Sequence, residues 1–121
     1  MIIQRIRPSH DLKKELLKIR IKGGIIVSGV GSLKNATLRL ADENILKVKG
    51  PFEIISMQGT ITINGIHVHL AIADKEGNMI GGHLKEGCEV HTTAEIAILP
   101  YNGILRRSKD EETGYMELQV G

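Results

Sequence analysis

The Asn64-Gly65 pair constrains the fold more than any other feature of this sequence, because it separates two runs rich in β-branched and aliphatic residues. Asn-Gly is a preferred pair for a two-residue hairpin turn, in which positive φ angles are required. One run covers residues 52–63 and the other covers residues 65–73. The sequence therefore predicts two antiparallel strands joined by a tight turn, with a bend or bulge in the first strand at Gly59.

The second of these strands carries His67 and His69. Side chains alternate between the faces of a strand, so both imidazoles are expected on one face. A turn over residues 74–78 returns the chain to Gly81-Gly82-His83, which predicts that His83 approaches the pair from a neighbouring strand. Three neutral imidazoles can bind zinc or a similar ion and leave one coordination position open. Two alternatives remain, a half-exposed polar face without metal and a tight subunit contact at the glycines.

One amphipathic helix is predicted over residues 10–21, with Ser9 as its N-cap and Gly23-Gly24 as its end. The rest of the sequence is typical of strands, except for a charged loop over about residues 105–114. We therefore expect an α+β fold, a mainly antiparallel sheet of about seven strands with one main helix packed on one face. The predicted strands cover residues 2–7, 25–32, 35–40, 52–63, 65–73, a segment from residue 79 and 89–99, and weaker strand patterns cover 45–49 and 115–120.

Composition limits the class of protein. The 121 residues predict a single domain over 1–121, and a net charge of +2 is too small to indicate nucleic-acid binding by electrostatics alone. The lone cysteine, Cys88, excludes an internal disulfide framework. The sequence has neither a signal-peptide pattern nor an apolar run of membrane-spanning length, so a cytoplasmic protein without membrane contact is expected. One helix cannot cover so large a sheet, which predicts oligomerisation.

Six motifs occur in one order in the sequence: Gly29-Val30-Gly31-Ser32-Leu33, Ala36-Thr37-Leu38-Arg39, Phe52-Glu53-Ile54-Ile55-Ser56-Met57-Gln58-Gly59-Thr60, His67-Val68-His69, Gly81-Gly82-His83-Leu84 and Thr93-Ala94-Glu95-Ile96. Together they resemble the PPC domain (plants and prokaryotes conserved), also called PCC, over residues 3–100. The resemblance implies an α/β or α+β domain that assembles as a homotrimer. For the prokaryotic type it also implies a metal site of three histidines, which His67, His69 and His83 match one by one, with zinc as the expected divalent metal.

Plant members of the PPC family, which this sequence resembles, carry AT-hook segments and act as nuclear DNA-binding proteins. This sequence contains no Arg-Gly-Arg-Pro core, and Pro51 stands where plant members have Arg before Phe-Glu-Ile. We therefore expect a trimeric, metal-binding regulatory or scaffold domain with DNA-associated protein partners, and weak or absent direct DNA binding. A further hypothesis, nucleic-acid binding through the basic helix face, depends only on lysines and an arginine that also suit a solvated face.

The alternative function is a small metal-dependent enzyme that uses the open position of the three-histidine zinc site. Its general base would be Glu53, which could instead orient a histidine or form a surface or interface ion pair with Arg39. The sequence names no substrate, and no residue is assigned a catalytic role. Cys88 is interpreted as a packed residue, and His91 as polar surface.

Overall fold

The computed structural model describes all 121 residues, Met1–Gly121, and consists almost entirely of β-strands. The longest strand has 18 residues, and its pairing with each of its two neighbours contains one register shift. The elements are β1 (Ile2–Ile6), α1 (Leu12–Leu17), β2 (Gly23–Arg39), β3 (Ile45–Thr62), β4 (Gly65–Ala73), β5 (Met79–Leu84), β6 (Val90–Pro100), β7 (Leu105–Lys109) and β8 (Met116–Val120).

Six strands form one antiparallel sheet in the order β1-β6-β2-β3-β4-β5. The sheet curls until the end of β2 also pairs with β5, where Arg39 lies opposite His83. The closed part of the sheet therefore contains β2, β3, β4 and β5. This closure brings the end of β2 to the strand that carries His83, although the two residues are far apart in the sequence.

The predicted hairpin between β3 and β4 is confirmed, since the register of the two strands continues up to the pair Thr62 and Gly65. Its two turn residues are Ile63 and Asn64 rather than the predicted Asn64 and Gly65, which is the first residue of β4. Gly59 does not form the predicted bulge, because the register shift lies between Ile54 and Ser56. Its role is close approach instead. A Cβ at residue 59 would lie 2.2 Å from the backbone oxygen of His67.

The expected α+β class is wrong, because the chain is 64% strand and 5% helical and has no main helix. The helix predicted over residues 10–21 covers Leu12–Leu17 only, and Asp11 rather than Ser9 is its N-cap. Lys18 ends the helix, and the chain then extends towards β2 with Ile19 and Ile21 packed against the core. Tertiary packing of these β-branched residues outweighs the helical period of the sequence.

The charged loop predicted over residues 105–114 is also wrong, because β7 and β8 pair there as a separate two-stranded sheet. Leu105 begins β7 and is buried, so this segment contributes a core residue that the sequence analysis did not expect. Eight strands therefore replace the expected seven or so. No helix of the protein is long and apolar enough to cross a membrane.

The core lies between the curled sheet and the short helix, where Leu12 and Leu16 are fully buried. The Asp11 carboxylate caps the helix at the Lys14 N–H and also accepts hydrogen bonds from the Gly87 and Cys88 N–H groups. One side chain thus caps the start of the helix and fixes it against the segment that precedes β6. Twenty buried residues form this core cluster. The face of the sheet that points away from the core is therefore directed towards solvent.

Candidate metal centre

Three histidines meet on the exposed side of the closed sheet. His67 and His69 lie on β4, two residues apart, and pair with Thr60 and Gln58 of β3. His83 lies on β5, directly opposite His69. Because cross-strand partners project from the same face of an antiparallel pair, this register places all three rings together. The structure therefore brings the three predicted ligands into one cluster.

The rings are close enough to share one ion. One ligand nitrogen from each histidine can be chosen so that all three lie within 4.8 Å of one another, and the Nε2 atoms of His67 and His69 are 3.1 Å apart. Nitrogens that each lie about 2.0–2.1 Å from one tetrahedral zinc ion would be roughly 3.4 Å apart. Small rotations of the side chains would bring the rings into that arrangement. Three imidazoles are a donor set that suits zinc.

The surroundings of the rings disfavour their protonated forms. Burial, followed by the positive charge of Arg39, lowers the pKa of His83 to about 4. Burial, followed by the neighbouring His69 and then Arg107, lowers the pKa of His67. Both rings are therefore neutral near pH 7, which is the form that can donate a lone pair to a metal ion.

A cavity of about 690 Å³ lies against His67 and His83. Its wall combines charged, polar and apolar side chains from β2, the turn after it, the β3–β4 hairpin and the β7–β8 hairpin. The cluster is thus open to a space large enough for a small molecule. The lining residues are Arg39, Ala41, Glu43, Asn64, Ile66, His67, His83, Arg107, Tyr115, Met116 and Glu117.

The β7–β8 hairpin is held over the cluster by the Asn64 turn. The Asn64 amide donates to the Arg107 carbonyl at 2.9 Å and its oxygen accepts from the Arg107 N–H at 2.7 Å. The Ile63 N–H donates to the carbonyl of the buried Leu105 at 2.9 Å. The Arg107 guanidinium also donates to the Thr60 hydroxyl, beside His67. The turn residue predicted for the hairpin therefore also positions a wall of the cavity.

The two further predicted site residues have different positions. Arg39 lies in the cluster, where its guanidinium is 3.5 Å from Nδ1 of His83. Glu53 is exposed and pairs with Ala73 at the far end of β4, so the structure does not bring it to the histidines or to Arg39. The proposed roles of Glu53 as a base or as a partner of a histidine therefore lack a geometric basis. Its role at an interface stays a prediction.

The other two side chains weighed from the sequence lie outside the cluster. Cys88 is fully buried, its sulfur accepts a hydrogen bond from the Thr37 N–H, and burial raises the pKa of its thiol to about 11. A thiol with so high a pKa is protonated near pH 7 and is a poor nucleophile. His91 is exposed on β6.

The sequence pattern did not indicate Arg107, Tyr115 or Glu117 as site residues, because most of the residues around them are typical of a charged loop. The sequence contains a weak indication of a hairpin here. Leu105 and Met116–Val120 lie on either side of a segment that consists of acidic residues followed by Thr113 and Gly114. This pattern is that of a short hairpin with one buried anchor. The contact with Asn64 has no signature in the sequence.

The fold and the cluster together define a class of protein, a curled antiparallel β-domain with an exposed three-histidine centre. The sequence matches the Plants and Prokaryotes Conserved (PCC) domain over residues 2–102. The chain belongs to the PCC domain family. This result confirms the family resemblance found in the sequence motifs.

The chain is also similar to a protein of known sequence and to a protein of known structure. The bifunctional protein GlmU of Synechococcus sp. (strain JA-3-3Ab) is 41% identical over 126 residues, which cover 96% of this chain and 20% of that protein. This chain therefore spans about one fifth of the length of that relative. A hypothetical protein of Salmonella cholerae-suis has a structure that matches with a TM-score of 0.94 at 32% identity, covering 99% of this chain and 91% of that one.

Two more distant structures share the fold. A metal-containing protein of Archaeoglobus fulgidus matches with a TM-score of 0.85 at 24% identity, over 98% of this chain and 91% of its own. A proposed DNA-binding protein of Ralstonia eutropha matches with a TM-score of 0.88 at 22% identity, over 98% of this chain and 90% of its own. At these identities the likeness establishes the fold alone.

Proposed function

We propose that this chain is a metal-binding PCC domain in which His67, His69 and His83 hold one divalent ion, most suitably zinc. The observation that carries the proposal is the convergence of three ligand nitrogens within 4.8 Å on two paired strands. The lowered pKa values of His67 and His83 support it, since they keep these two rings neutral. The metal-containing relative from Archaeoglobus fulgidus, which shares the fold, adds independent support.

A zinc ion held by three protein nitrogens keeps a fourth position for water or a small anion. The chain supplies a rigid frame for such an ion, because the ligands lie on strands rather than loops. The guanidinium of Arg39 lies 3.5 Å from Nδ1 of His83, so a positive charge borders the cluster at this ring. The remaining side of the cluster faces the cavity, so a ligand could approach the ion from there.

The test is the metal content of protein purified without a histidine tag. The wild-type chain is expected to retain one zinc per chain after dialysis, and His83→Ala is expected to lose most of it because two ligands on one strand leave the site incomplete. His91→Ala, which removes an exposed histidine outside the cluster, is the matched control and should retain the metal. Full metal content in His83→Ala would contradict the proposal.

We further propose that the domain acts as a homotrimeric scaffold or regulatory unit that associates with DNA-bound proteins. Exposed apolar side chains on adjacent strands support self-association. The description of a relative with this fold as a proposed DNA-binding protein supports a role near DNA. A net charge of +2 supports an indirect role, because few phosphates could be neutralised.

Direct binding to duplex DNA is therefore expected to be weak and strongly dependent on salt. A fluorescence anisotropy titration at low salt should give at most micromolar binding, and binding should disappear at physiological salt. An unrelated duplex of the same length is the control for sequence preference. Tight, sequence-selective binding at physiological salt would instead favour direct DNA recognition.

A metal-dependent enzyme is the second candidate, and the position of Glu117 on the cavity wall favours it. A carboxylate near the open position could act as a general base towards a metal-bound water. Zinc-loaded protein can be tested with p-nitrophenyl acetate as a simple ester. Hydrolysis that Glu117→Gln and His83→Ala both abolish would support an enzyme, and rates equal to those of zinc alone would exclude activity towards this ester.

A further inference from the structure

The cavity beside the histidines contains a cation whose hydrogen-bonding capacity is incompletely satisfied. One N–H of the Arg107 guanidinium donates to the Thr60 hydroxyl, but its Nε atom is buried and has no hydrogen-bond partner. Burial lowers the pKa of this guanidinium, against the opposing effect of Glu117. A buried donor on a charged group costs free energy unless an acceptor satisfies it. The same side chain lines the cavity, so an anionic ligand there would pair with its positive charge.

A second guanidinium lines the same cavity. Arg39 lies beside His83, and both Arg39 and Arg107 lower the pKa of His67 through their positive charge. Two cations therefore act on the region where the open coordination position of the cluster would face the cavity. Apolar side chains of Ile66 and Met116 line other parts of the wall. The cavity thus combines a cationic region with surfaces that suit a short hydrocarbon chain.

We propose, on the basis of the metal site proposed above, that this cavity binds a small organic carboxylate. Its oxygens contact Arg107 and Arg39 and complete the coordination sphere of the metal. A planar guanidinium matches a carboxylate in geometry and charge. A carboxylate is favoured over a phosphate because Glu43 and Glu117 lie on the same wall and repel a more highly charged ligand more strongly.

The β7–β8 hairpin determines the selectivity of this cavity. Arg107, Tyr115, Met116 and Glu117 belong to the hairpin, which lies beyond residue 102, where the match to the PCC domain ends. The histidines and Arg39 lie within the matched segment. The metal ligands and the ligand-selecting wall are thus supplied by different parts of the chain.

The experiment uses the cobalt-substituted protein, whose visible absorption reports a new ligand on the metal. Butyrate is the probe, butyramide is its uncharged analogue, and phosphate is the competing anion. Butyrate is expected to change the spectrum saturably and butyramide is not. Arg107→Gln and Arg39→Gln are each expected to raise the Kd for butyrate about tenfold, the loss of one charge-assisted contact. Arg106→Gln, at an exposed neighbouring position on β7, is the matched control and should leave the Kd unchanged.

Equal responses to butyrate and butyramide, an unchanged Kd in both arginine variants, or tighter binding of phosphate would overturn the proposal. If Arg107→Gln does not fold, Arg39→Gln decides the outcome. The failure of the metal site is distinguished by an NMR titration of the metal-free protein with butyrate. If the chain binds no cobalt, the proposed function fails. In the NMR titration of the metal-free protein, weaker butyrate binding by the arginine variants would still support the guanidinium contacts. An unchanged affinity in those variants would overturn the contacts.

Discussion

The environment of His83 shows how neighbouring side chains prepare a residue for metal binding. Its ring is partly buried between β4 and β2, and the nearby Arg39 guanidinium adds a positive charge. Both effects disfavour the imidazolium form and lower the pKa to about 4. A proton therefore competes with a metal ion for the His83 imidazole only in distinctly acidic solution.

This shift predicts how metal binding depends on pH. An unperturbed histidine would lose its ligand form below about pH 6.5. Because the pKa values of His67 and His83 are lowered, the midpoint of metal release is expected below pH 6.5 and above the value of about 4 for His83. The absorbance of the cobalt-substituted protein, followed from pH 8 to pH 4, measures this midpoint. Release centred at or above pH 6.5 would contradict the prediction.

The same shift affects the stability of the metal-free protein. Between about pH 6.5 and pH 4 the unfolded chain binds protons at these histidines more readily than the folded chain does. The free energy of unfolding is therefore highest, with respect to these histidines, above pH 6.5. It decreases as the pH falls from 6.5 towards 4. Urea unfolding at several pH values measures this change. His83→Ala should reduce the pH dependence in this range.

Gly59 on β3 lies against the backbone of β4, the strand that carries His67 and His69. A Cβ there would meet the His67 carbonyl oxygen at 2.2 Å, which is far inside contact distance. Gly59→Ala is expected to lower the free energy of unfolding by about 3 kcal/mol and to reduce metal retention, because β3 and β4 must separate. Urea unfolding and metal analysis measure the two effects.

Gly77→Ala provides the comparison for Gly59→Ala. A Cβ at Gly77 has no atom within 4 Å, but the residue has a φ of +84°. Only the backbone conformation opposes alanine there, at a cost of about 1 kcal/mol, and metal retention should be unchanged. Equal effects of the two substitutions would contradict the role assigned to close approach at Gly59.

At the scale of single elements, the short helix α1 stabilises the fold through two side chains. Leu12 and Leu16 are fully buried, whereas the adjacent Leu17 is 45% exposed. Six residues are too few for a helix to be stable by itself, so packing and the Asp11 cap maintain it. The helix therefore acts as a buried plug at one end of the core.

This difference predicts unequal effects at neighbouring positions. Leu16→Ala removes a fully buried side chain and is expected to lower the free energy of unfolding by about 3 kcal/mol. Leu17→Ala removes a partly exposed side chain of the same size and is expected to cost about 0.5 kcal/mol. Urea unfolding distinguishes the two. A cost for Leu17→Ala as large as that for Leu16→Ala would show that α1 packs differently.

At the scale of the whole molecule, the sheet exposes apolar side chains on three adjacent strands, β6, β2 and β3. Ile25 and Leu99 lie directly opposite each other across β2 and β6. We call this group the exposed apolar surface. Apolar side chains concentrated on neighbouring strands favour burial against another protein. The members are Ile25, Val27, Val30, Ile55 and Leu99.

The proposed homotrimer is expected to bury this exposed apolar surface. Light scattering at micromolar concentration should give three times the chain mass, and Val27→Asp should shift the mass towards that of a monomer because burying an unpaired carboxylate is costly. Lys75→Glu, in an exposed turn, is the control and should not change the mass. A monomer mass for the wild-type chain would contradict the trimer.

Local patterns in the sequence predicted the hairpin and the shared face of His67 and His69. Both depend on short-range rules, the turn chemistry of Asn64-Gly65 and the two-residue period of a strand. The return of His83 was also predictable, because a short turn joins its strand to β4. The family resemblance extended this local information to the expectation of a three-histidine site.

The remaining features depend on contacts between residues far apart in the sequence. Residues 10–21 have a helical period, but only six of them form helix, because Ile19 and Ile21 pack against the core in extended chain. The pairing of β2 with β5 brings Arg39 to His83, and Asn64 fixes the β7–β8 hairpin that carries Arg107. The sequence by itself thus determined which side chains share a strand face. Only the tertiary structure decided which strands far apart in the sequence meet, because closing the sheet depends on the packing of the whole core rather than on any local preference.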